Sequence, residues 1–210
     1  MFCPSHIRPS SVKSRESIRR EMRRRRRTLN QQQRRQAAER LRGVLCTSPL
    51  FLHSRRIACY LASEGEMDLT PVMERLWSMG KTCYLPVIRR LGHNRLDFAP
   101  YRKGDPLFRN CYGIPEPEDR RHAAPPWGLD LLLLPLVAFD TRGNRIGMGG
   151  GYYDRTLAYL RRRKYWRTPT LLGVAYRFQQ VEEIAAQRWD IPLDGVACET
   201  ELMLFGSRIS

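Results

Sequence analysis

Apolar residues are sparse but regularly spaced over the first 50 positions of the chain. Ile18, Met22 and Leu29 follow a helical spacing inside an arginine-rich stretch, and Asn30 with Gln33 is an N-cap signal for a second helix. The apolar face of that second helix is formed by Ala37, Ala38, Leu41, Val44 and Leu45. We therefore predict two successive helices within residues 13–48, after a flexible start over residues 1–12.

A strand–helix–strand pattern follows these helices. Residues 57–61 form a short apolar run that predicts a buried strand, and residues 82–87 form a second one. Between them, Pro71 suits the first turn of a helix and Gly80 suits its C-terminal cap. A short crossover of this kind joins two parallel strands, so the segment predicts a βαβ unit.

The second half of the chain alternates between apolar runs and polar connections. Residues 130–139 are the most apolar run and are expected to form the central strand, with a helix after it from Tyr152 to about Arg162. Residues 102–128 are rich in Pro, Gly and charge and are predicted to be loop. The other strands are expected at residues 96–101, 170–175 and 196–198. The predicted fold class is α/β, with three layers, a mostly parallel sheet, helices on both faces and an N-terminal helical arm.

The length of 210 residues suits one domain. We expect that domain over residues 13–205, with an α/β core at residues 55–201. No apolar run reaches the roughly 18–20 residues that a membrane span needs, so a membrane partner is not expected.

The positive charge is concentrated near the N-terminus. The whole chain has a formal net charge of +16, and residues 8–42 hold fourteen Lys and Arg against three acids, a balance of +11. A basic protein can be a nucleic-acid binder that uses the run Arg23 to Arg27, and this is the alternative function that we keep open. Against it, no aromatic residue that could stack on a base lies between Lys13 and Leu50, so nucleic acid is not expected as a partner.

Cysteine usage indicates a reducing compartment. The six cysteines include no CxxC pair, and no His lies at zinc-ligand spacing from a Cys. Free thiols of this kind are typical of cytoplasmic proteins, which is the expected location.

The segment that points to chemistry is RIGMGGGYYD, residues 145–154. It is neither a Walker A sequence nor a dinucleotide fingerprint. Its glycines let a ligand approach the backbone, and the amides at the start of the following helix favour a phosphate, to which Arg145 can add a charged contact. Asp154 is well placed to hold Mg²⁺. The residues alone leave a second reading open, a glycine-rich turn in which Asp154 complements the helix dipole.

The longer stretch LPLVAFDTRGNRIGMGGGYYDRTL, residues 134–157, closely resembles the signature of the 5-formyltetrahydrofolate cyclo-ligase family, also called 5,10-methenyltetrahydrofolate synthetases. Further matches occur in the expected order, namely RESIR at 15–19, YLASEGE at 60–66, YGIPEP at 112–117, LGVAYRFQ at 172–179 and WDIPLD at 189–194. The resemblance covers residues 13 to 201, nearly the whole chain.

The resemblance implies an enzyme that uses ATP as co-substrate and Mg²⁺ to close 5-formyltetrahydrofolate into 5,10-methenyltetrahydrofolate, with release of ADP and phosphate. In the chemistry implied, phosphorylation of the formyl oxygen makes a poor electrophile reactive, and N10 then attacks the activated carbon. The substrate would be accepted with or without a polyglutamate tail, and the protein would be a monomer. An inactive folate- or nucleotide-binding relative is a third reading.

The resemblance also implies two places of nucleotide contact. Arg15 and Arg19 match basic residues of the first helix, although the family often has Lys at the first of these positions. The implied triphosphate cradle consists of Arg145, Ile146, Gly147, Met148, Gly149, Gly150, Gly151, Tyr152 and Tyr153. Some members carry basic residues where this chain has Met148 and Gly150, so the phosphate grip here would rely more on backbone amides and arginines.

Metal, catalytic and folate-binding residues follow from the same resemblance. Asp154 and Asp190 match the acidic residues at the metal, and Arg145, Tyr152 and Asp154 match catalytic positions. The implied folate-binding residues are Leu61, Glu66, Met67, Tyr112, Met148, Gly149, Gly150, Gly151 and Tyr152, with Gln179 as a weaker candidate. The ordinary alternatives are a turn residue for Asp190 and an exposed loop carboxylate for Glu66. The run Arg23 to Arg27 exceeds what this chemistry needs and is expected to be solvated helix surface that steers anionic substrates.

Overall fold

The computed structural model describes residues 14–89, 94–162 and 168–205. The flexible start predicted for residues 1–12 lies outside the described residues. The α-helices are α1 (Arg15–Thr28), α2 (Gln31–Cys46), α3 (Pro49–His53), α4 (Thr70–Ser78) and α5 (Tyr152–Thr156). The strands are β1 (Arg56–Ala58), β2 (Thr82–Ile88), β3 (Leu96–Pro100), β4 (Leu107–Arg109), β5 (Pro115–Pro117), β6 (Leu131–Pro135), β7 (Ala138–Phe139), β8 (Arg145–Ile146), β9 (Thr170–Val174), β10 (Gly195–Ala197) and β11 (Leu202–Leu204). Short 3₁₀ turns lie at Pro126–Gly128, Ala158–Arg162 and Arg177–Gln179.

The helix starts follow the capping residues. Ser14 caps α1 by accepting a hydrogen bond from the Ser17 backbone amide, and Asn30 with Gln33 forms a complete capping box on α2. The two predicted N-terminal helices are therefore confirmed, as is the helix that begins at Thr70 with Pro71 in its first turn.

The main sheet has seven strands in the order β11-β10-β9-β6-β1-β2-β3. Neighbours from β10 through to β2 are parallel, and the two edge strands, β11 and β3, are antiparallel to theirs. The predicted βαβ unit is confirmed, because Arg56 to Ala58 pair in parallel with Thr82 to Tyr84. The strand β6 lies at the centre of the sheet, as its apolar sequence predicts.

Alternate strand residues feed two cores on opposite faces of the sheet. Leu131 and Leu133 of β6 pack with α2, α3 and α4 on one face. Leu132 and Leu134 pack on the other face with Leu157 and Leu160, which follow α5. The period of two along a strand buries every residue of β6 except Pro135, and it confirms helices on both faces.

A third, smaller core joins α1 to the rest of the fold. Ile18 and Met22 of α1 pack against Val137, Ala138 and Ile146, which belong to the β7–β8 hairpin and the residue before it. The N-terminal helix is thereby fixed against the base of the glycine-rich segment.

Two predicted elements have other bounds in the structure. The run 130–139 is two strands, because Pro135 lacks an N–H and ends β6, after which Ala138–Phe139 pairs with Arg145–Ile146 in a separate sheet. The helix predicted from Tyr152 to about Arg162 ends at Thr156 and continues as 3₁₀ structure, whose three-residue turn brings Leu157 and Leu160 onto the same core.

Short strands were missed elsewhere. The predicted loop 102–128 contains the β4–β5 hairpin, and the strand at 195–197 is followed by one more, β11. Strands of three residues are too short to show a periodic pattern, so the sequence carried no signal for them.

Candidate active site

The two most informative motifs lie at the same edge of the sheet. The segment with Glu66 follows β1, and the glycine-rich segment follows β6, and these two strands are parallel neighbours. From β1 the chain crosses to β2 on one side, and from β6 it crosses to β9 on the other. The point where strand connections diverge is where open α/β sheets bind ligands, at the carboxyl ends of the strands. The fold therefore brings both motifs to one crevice.

Arg145 is the central support of the glycine-rich segment. Its side chain is buried, with 6% exposed, and its Nη2 donates to Asp154 Oδ1 at 2.7 Å while its Nη1 donates to the carbonyl of Ile191. Burial lowers the pKa of Arg145, and the nearby carboxylates of Asp154 and Asp190 oppose that shift. Arg145 thus connects Asp154, in the first turn after the glycines, to the segment that carries Asp190.

The inner face of α1 holds the same segment from the other side. Arg15 donates from Nη1 to Asp190 Oδ2 at 2.7 Å and from Nη2 to the carbonyl of Arg145 at 3.0 Å. Arg19 donates from Nε to the carbonyl of Gly147 at 2.9 Å. Burial and the guanidinium groups of Arg15 and Arg23 lower the pKa of Arg19, which marks a surplus of positive charge on this face. Such a surplus favours a polyanionic ligand.

The arginine run is divided between the two faces of α1, which corrects the prediction of a solvated surface. Arg24 and Arg27 are exposed, but the side chain of Arg26 is completely buried. Its Nη2 lies 4.0 Å from the sulfur of Met148, and its Nη1 lies 3.9 Å from Glu66 Oε1. Arg25 places its guanidinium 4.7 Å from the ring centre of Phe178. Arg25 and Arg26 therefore contact residues beside the crevice, whereas Arg24 and Arg27 are exposed to solvent.

Glu66 is a buried carboxylate and not an exposed loop residue. Its side chain accepts hydrogen bonds at Oε2 from the amide and the hydroxyl of Ser63, at 3.1 and 3.3 Å, and the residue is 8% exposed. Burial raises the pKa of Glu66, while the bonds from Ser63 and the charge of Arg26 act in the opposite direction. A buried, partly satisfied carboxylate in a ligand crevice is a typical functional group.

The surroundings of Glu66 are aromatic and apolar. Burial and the charge of Glu66 raise the pKa of both Tyr60 and Tyr153, and Tyr153 is also close enough to Arg145 to feel its charge. Leu61 is half-buried, whereas Met67 is 1% exposed and packs in the core. Leu61 therefore offers apolar surface to the crevice, and Met67 lies behind it.

Tyr112 and Tyr152 meet across the rim of the site. Their hydroxyl oxygens are 2.8 Å apart, and their rings form an edge-to-face pair with centres 5.9 Å apart. Tyr112 is 60% exposed at the turn between β4 and β5. The hydrogen bond to Tyr112 raises the pKa of Tyr152 to about 12. Tyr112 and Tyr152 are thus hydrogen-bonded rim residues with ring faces available for contact.

The glycines adopt conformations that other residues avoid. Gly149 has a φ of +112°, and Gly151, at the start of α5, has a φ of +63°. Because α5 has only five residues, the helix dipole expected to favour a phosphate is short. Arg155 donates to the carbonyl of Gly150, so the loop is also supported from its far end.

Gln179 has a structural role. Its Nε2 donates to the carbonyls of Leu136 and Val137 at 2.9 and 2.8 Å, and its Oε1 accepts from the amide of Tyr176 at 2.9 Å. These bonds satisfy the backbone where β6 has ended. The amide group of Gln179 is therefore used within the fold, and the proposed folate contacts come from the other candidate residues.

Sequence reasoning brought Arg15, Arg19, Arg145, Asp154 and Asp190 to the site, and the structure joins them in one network. It missed Arg26. The signal that could have found it is spacing, because Arg26 lies four residues after Met22 and eight after Ile18, on the apolar face of α1. No helix among the described residues is long and apolar enough to cross a membrane.

Comparison with known proteins identifies a family for the chain. The chain matches the 5-formyltetrahydrofolate cyclo-ligase family over residues 11–199. It is 36% identical to the 5-formyltetrahydrofolate cyclo-ligase of Haemophilus influenzae over 186 residues, which covers 87% of this chain and 96% of that one. It is 39% identical to the enzyme of the same name from Escherichia coli over 168 residues, 80% of this chain and 88% of the other.

A solved structure shares the fold as well. The NMR structure of 5,10-methenyltetrahydrofolate synthetase from Aquifex aeolicus superposes with a TM-score of 0.77 and 30% sequence identity, covering 92% of this chain and 93% of that one. Since the family match spans most of the sequence and includes every element of the site, the chain belongs to the 5-formyltetrahydrofolate cyclo-ligase family.

Proposed function

We propose that this protein catalyses the ATP-dependent closure of 5-formyltetrahydrofolate to 5,10-methenyltetrahydrofolate, with release of ADP and phosphate. The observation that carries the proposal is the arrangement of α1. Its inner face bonds the glycine-rich segment through Arg15 and Arg19, and in its last turns it places Arg26 beside Glu66. One helix therefore borders both a site suited to phosphates and a buried carboxylate suited to a pterin.

The proposed chemistry needs positioning and charge neutralisation more than a nucleophile from the protein. The formyl oxygen attacks the γ-phosphorus, and the bond from that phosphorus to ADP breaks. N10 then attacks the formyl carbon and loses its proton, and the carbon–oxygen bond to phosphate breaks. Arg15, Arg19 and Arg145 are the groups that balance the negative charge moving through these steps.

The phosphate cradle in this proposal consists of the backbone from Ile146 to Tyr153, with Met148 and the glycines Gly147, Gly149, Gly150 and Gly151 inside it. The carbonyl of Gly147 is held by Arg19, so the loop is fixed before it binds. A loop held in place in this way loses little freedom on binding, which supports a role in positioning the triphosphate.

We assign a Mg²⁺ site to Asp154 and Asp190. The described residues contain no group of three or more His, Cys, Asp or Glu that could hold a metal. Two carboxylates fit Mg²⁺, because this ion is usually bound by one or two protein carboxylates together with water and substrate phosphates. When bound, it would neutralise charge on the phosphates. The chain's own contribution is to orient Asp154 through Arg145 and Asp190 through Arg15.

For the folate, we assign the aminopyrimidine edge to Glu66, in which Ser63 bonds Oε2 and leaves Oε1 for the substrate. Leu61 and Met148 supply apolar surface, with Met67 behind, and Tyr112 and Tyr152 are placed to contact the ring system. Tyr152 also begins α5, two residues before Asp154, so in this proposal it is next to both the folate and the phosphates.

The deciding experiment is turnover by the purified chain with 5-formyltetrahydrofolate, ATP and Mg²⁺. We expect methenyl-tetrahydrofolate absorbance to appear together with equal amounts of ADP and phosphate. Absence of turnover in a folded protein that binds both substrates would support an inactive relative instead. Light scattering on the same preparation tests whether the protein is a monomer. The location that we propose is cytoplasmic, which is supported by the free thiols of Cys46, Cys59, Cys83 and Cys198.

A further inference from the structure

Arg26 is the least satisfied charged group in the crevice. Its side chain is fully buried, and its Nε and Nη1 have no hydrogen-bond partner among the residues that the structure describes. Its remaining nitrogen, Nη2, reaches only the sulfur of Met148, at 4.0 Å. A buried charge without hydrogen bonds is costly, so such a group is retained where it serves a ligand or another functional residue.

The group that Arg26 faces is the Glu66 carboxylate. Arg26 Nη1 lies 3.9 Å from Glu66 Oε1, close enough for a strong charge interaction but too far for a hydrogen bond. The other oxygen, Oε2, is already bonded by Ser63. The backbone supports the approach, because Gly65, at a φ of +76°, brings the loop against the Arg26 carbonyl.

We propose that Arg26 is a substrate-positioning residue that acts through Glu66, holding this carboxylate charged and turned towards the N–H donors of the folate aminopyrimidine. The inference rests on the proposed function, in which Glu66 binds folate. A carboxylate accepts paired hydrogen bonds from the ring N3–H and the 2-amino group only while it is ionised. Both the Ser63 hydrogen bonds and the Arg26 guanidinium favour the ionised form, and Arg26 is the positively charged group that faces the other oxygen, Oε1.

Several other groups influence Glu66. Glu64 on its own loop raises the pKa of Glu66, and Glu64 is itself 4.0 Å from Arg23 of α1. Tyr60, Tyr153 and Tyr176 face the same region, the last with its hydroxyl 3.4 Å from the Glu66 carbonyl, and Arg34 of α2 packs behind the loop. Among the charged groups, Arg26 is the one whose attraction lowers the pKa of Glu66.

The pH dependence has a definite sign. Burial already raises the pKa of Glu66, so folate affinity is lost as the pH falls through that raised value. Removal of the Arg26 charge raises the pKa of Glu66 further. The loss of affinity then begins at a higher pH than in the wild type.

The test compares Arg26→Met and Arg26→Lys with Arg27→Met, a control at the next, exposed position of α1. Binding of 5-formyltetrahydrofolate is measured by calorimetry without ATP, from pH 5 to 9, and turnover is measured in parallel. We expect Arg26→Met to weaken folate binding roughly 30-fold and to shift its pH profile upward, with the KM for ATP unchanged. Arg26→Lys should recover most of the affinity, and Arg27→Met should match the wild type.

A double-variant cycle with Glu66→Gln separates action through Glu66 from a general packing effect. If Arg26 acts through Glu66, Arg26→Met should weaken folate binding less than about twofold further in the Glu66→Gln protein. Equal losses in both backgrounds, or an unshifted pH profile, would overturn the proposal. Arg26→Gln replaces Arg26→Met in the same cycle if the latter does not fold. Failure of the proposed function itself is distinct, because the wild type would then not convert 5-formyltetrahydrofolate, whereas the comparison of the variants is made by binding and needs no turnover.

Discussion

Arg145 and Arg26 are both buried in the same crevice, but they are bonded very differently. Arg145 donates to Asp154 and to the Ile191 carbonyl, and its own carbonyl accepts from Arg15. Arg26 has two nitrogens without a partner among the described residues, and its nearest carboxylate oxygen is 3.9 Å away. Arg145 therefore belongs to a hydrogen-bonded network, whereas Arg26 keeps two buried nitrogens that bond to none of the described residues.

The difference in hydrogen bonding indicates that the two arginines have different roles. A buried charge that donates to a carboxylate and a carbonyl is held rigidly and stabilises the loop that it supports. A buried charge that lacks hydrogen bonds is costly to the fold and is ready to interact when a ligand or a moving side chain supplies them. Arg145 should therefore matter for folding and turnover together, and Arg26 for folate binding alone.

The largest effect is expected at the carboxylate that Arg145 holds. Asp154→Asn keeps an oxygen that can accept from Arg145 but removes the negative charge, so kcat should fall by about 100-fold or more while the free energy of unfolding changes by only about 1 kcal/mol. Asp119→Asn is the control, since Asp119 is also paired with an arginine but lies on the surface. Wild-type turnover in Asp154→Asn would remove Asp154 from the mechanism.

Lysine substitutions at the two arginines test the comparison directly. Lysine keeps the charge but cannot donate in two directions from a planar group. Arg145→Lys should lower the free energy of unfolding by about 2 kcal/mol, because two buried bonds depend on the guanidinium, and Arg26→Lys by less than about 1 kcal/mol. Urea denaturation followed by circular dichroism measures both values. Equal losses would mean that the two arginines are structurally equivalent.

Two glycines allow a subtler test of the contact between α1 and the Glu66 loop. Gly65 and Gly80 both have positive φ values, but a side chain at Gly65 would meet the Arg26 carbonyl at 3.4 Å, whereas nothing lies within 4 Å at Gly80. Alanine at either position should cost about 1 kcal/mol of stability.

Only Gly65→Ala should also raise the KM for folate, about fivefold, because relief of the backbone strain at the positive φ of Gly65 moves the loop that carries Glu66, whereas Gly80 follows α4 and lies beside none of the described site residues. Steady-state kinetics of the two variants decides the point. A similar KM for folate in both variants would show that the contact between α1 and the Glu66 loop does not affect folate binding.

The smallest effect is expected on the outer face of α1. Neutralising Arg20, Arg24 and Arg27 together to Gln should change kcat and both KM values by less than about twofold at physiological salt, because exposed charges are screened. A filter-binding assay on the same variant tests the nucleic-acid alternative. A large loss of activity would mean that the outer arginines take part in substrate binding.

Much of the fold follows from local patterns in the sequence. The capping pair Asn30 and Gln33, Pro71 at the start of α4 and the apolar run of β6 each describe interactions within a few residues, and each prediction is confirmed. The break at Pro135 has a local cause, the missing N–H of proline. The short α5 differs because packing of Leu157 and Leu160 against residues far away in the sequence decides where the helix ends.

The α/β class, the order of the main helices and strands and the family motifs can be read from the sequence alone, since periodicity, caps and glycine runs are local properties of the chain. Which charges are buried depends on the tertiary structure. Arg26 and Arg27 are neighbours of the same chemical type, yet one is enclosed and the other solvated, because α1 is fixed by Ile18 and Met22 against the base of the glycine-rich segment. Burial of a long charged side chain depends on what packs around it, and that is settled by contacts between segments far apart in the sequence.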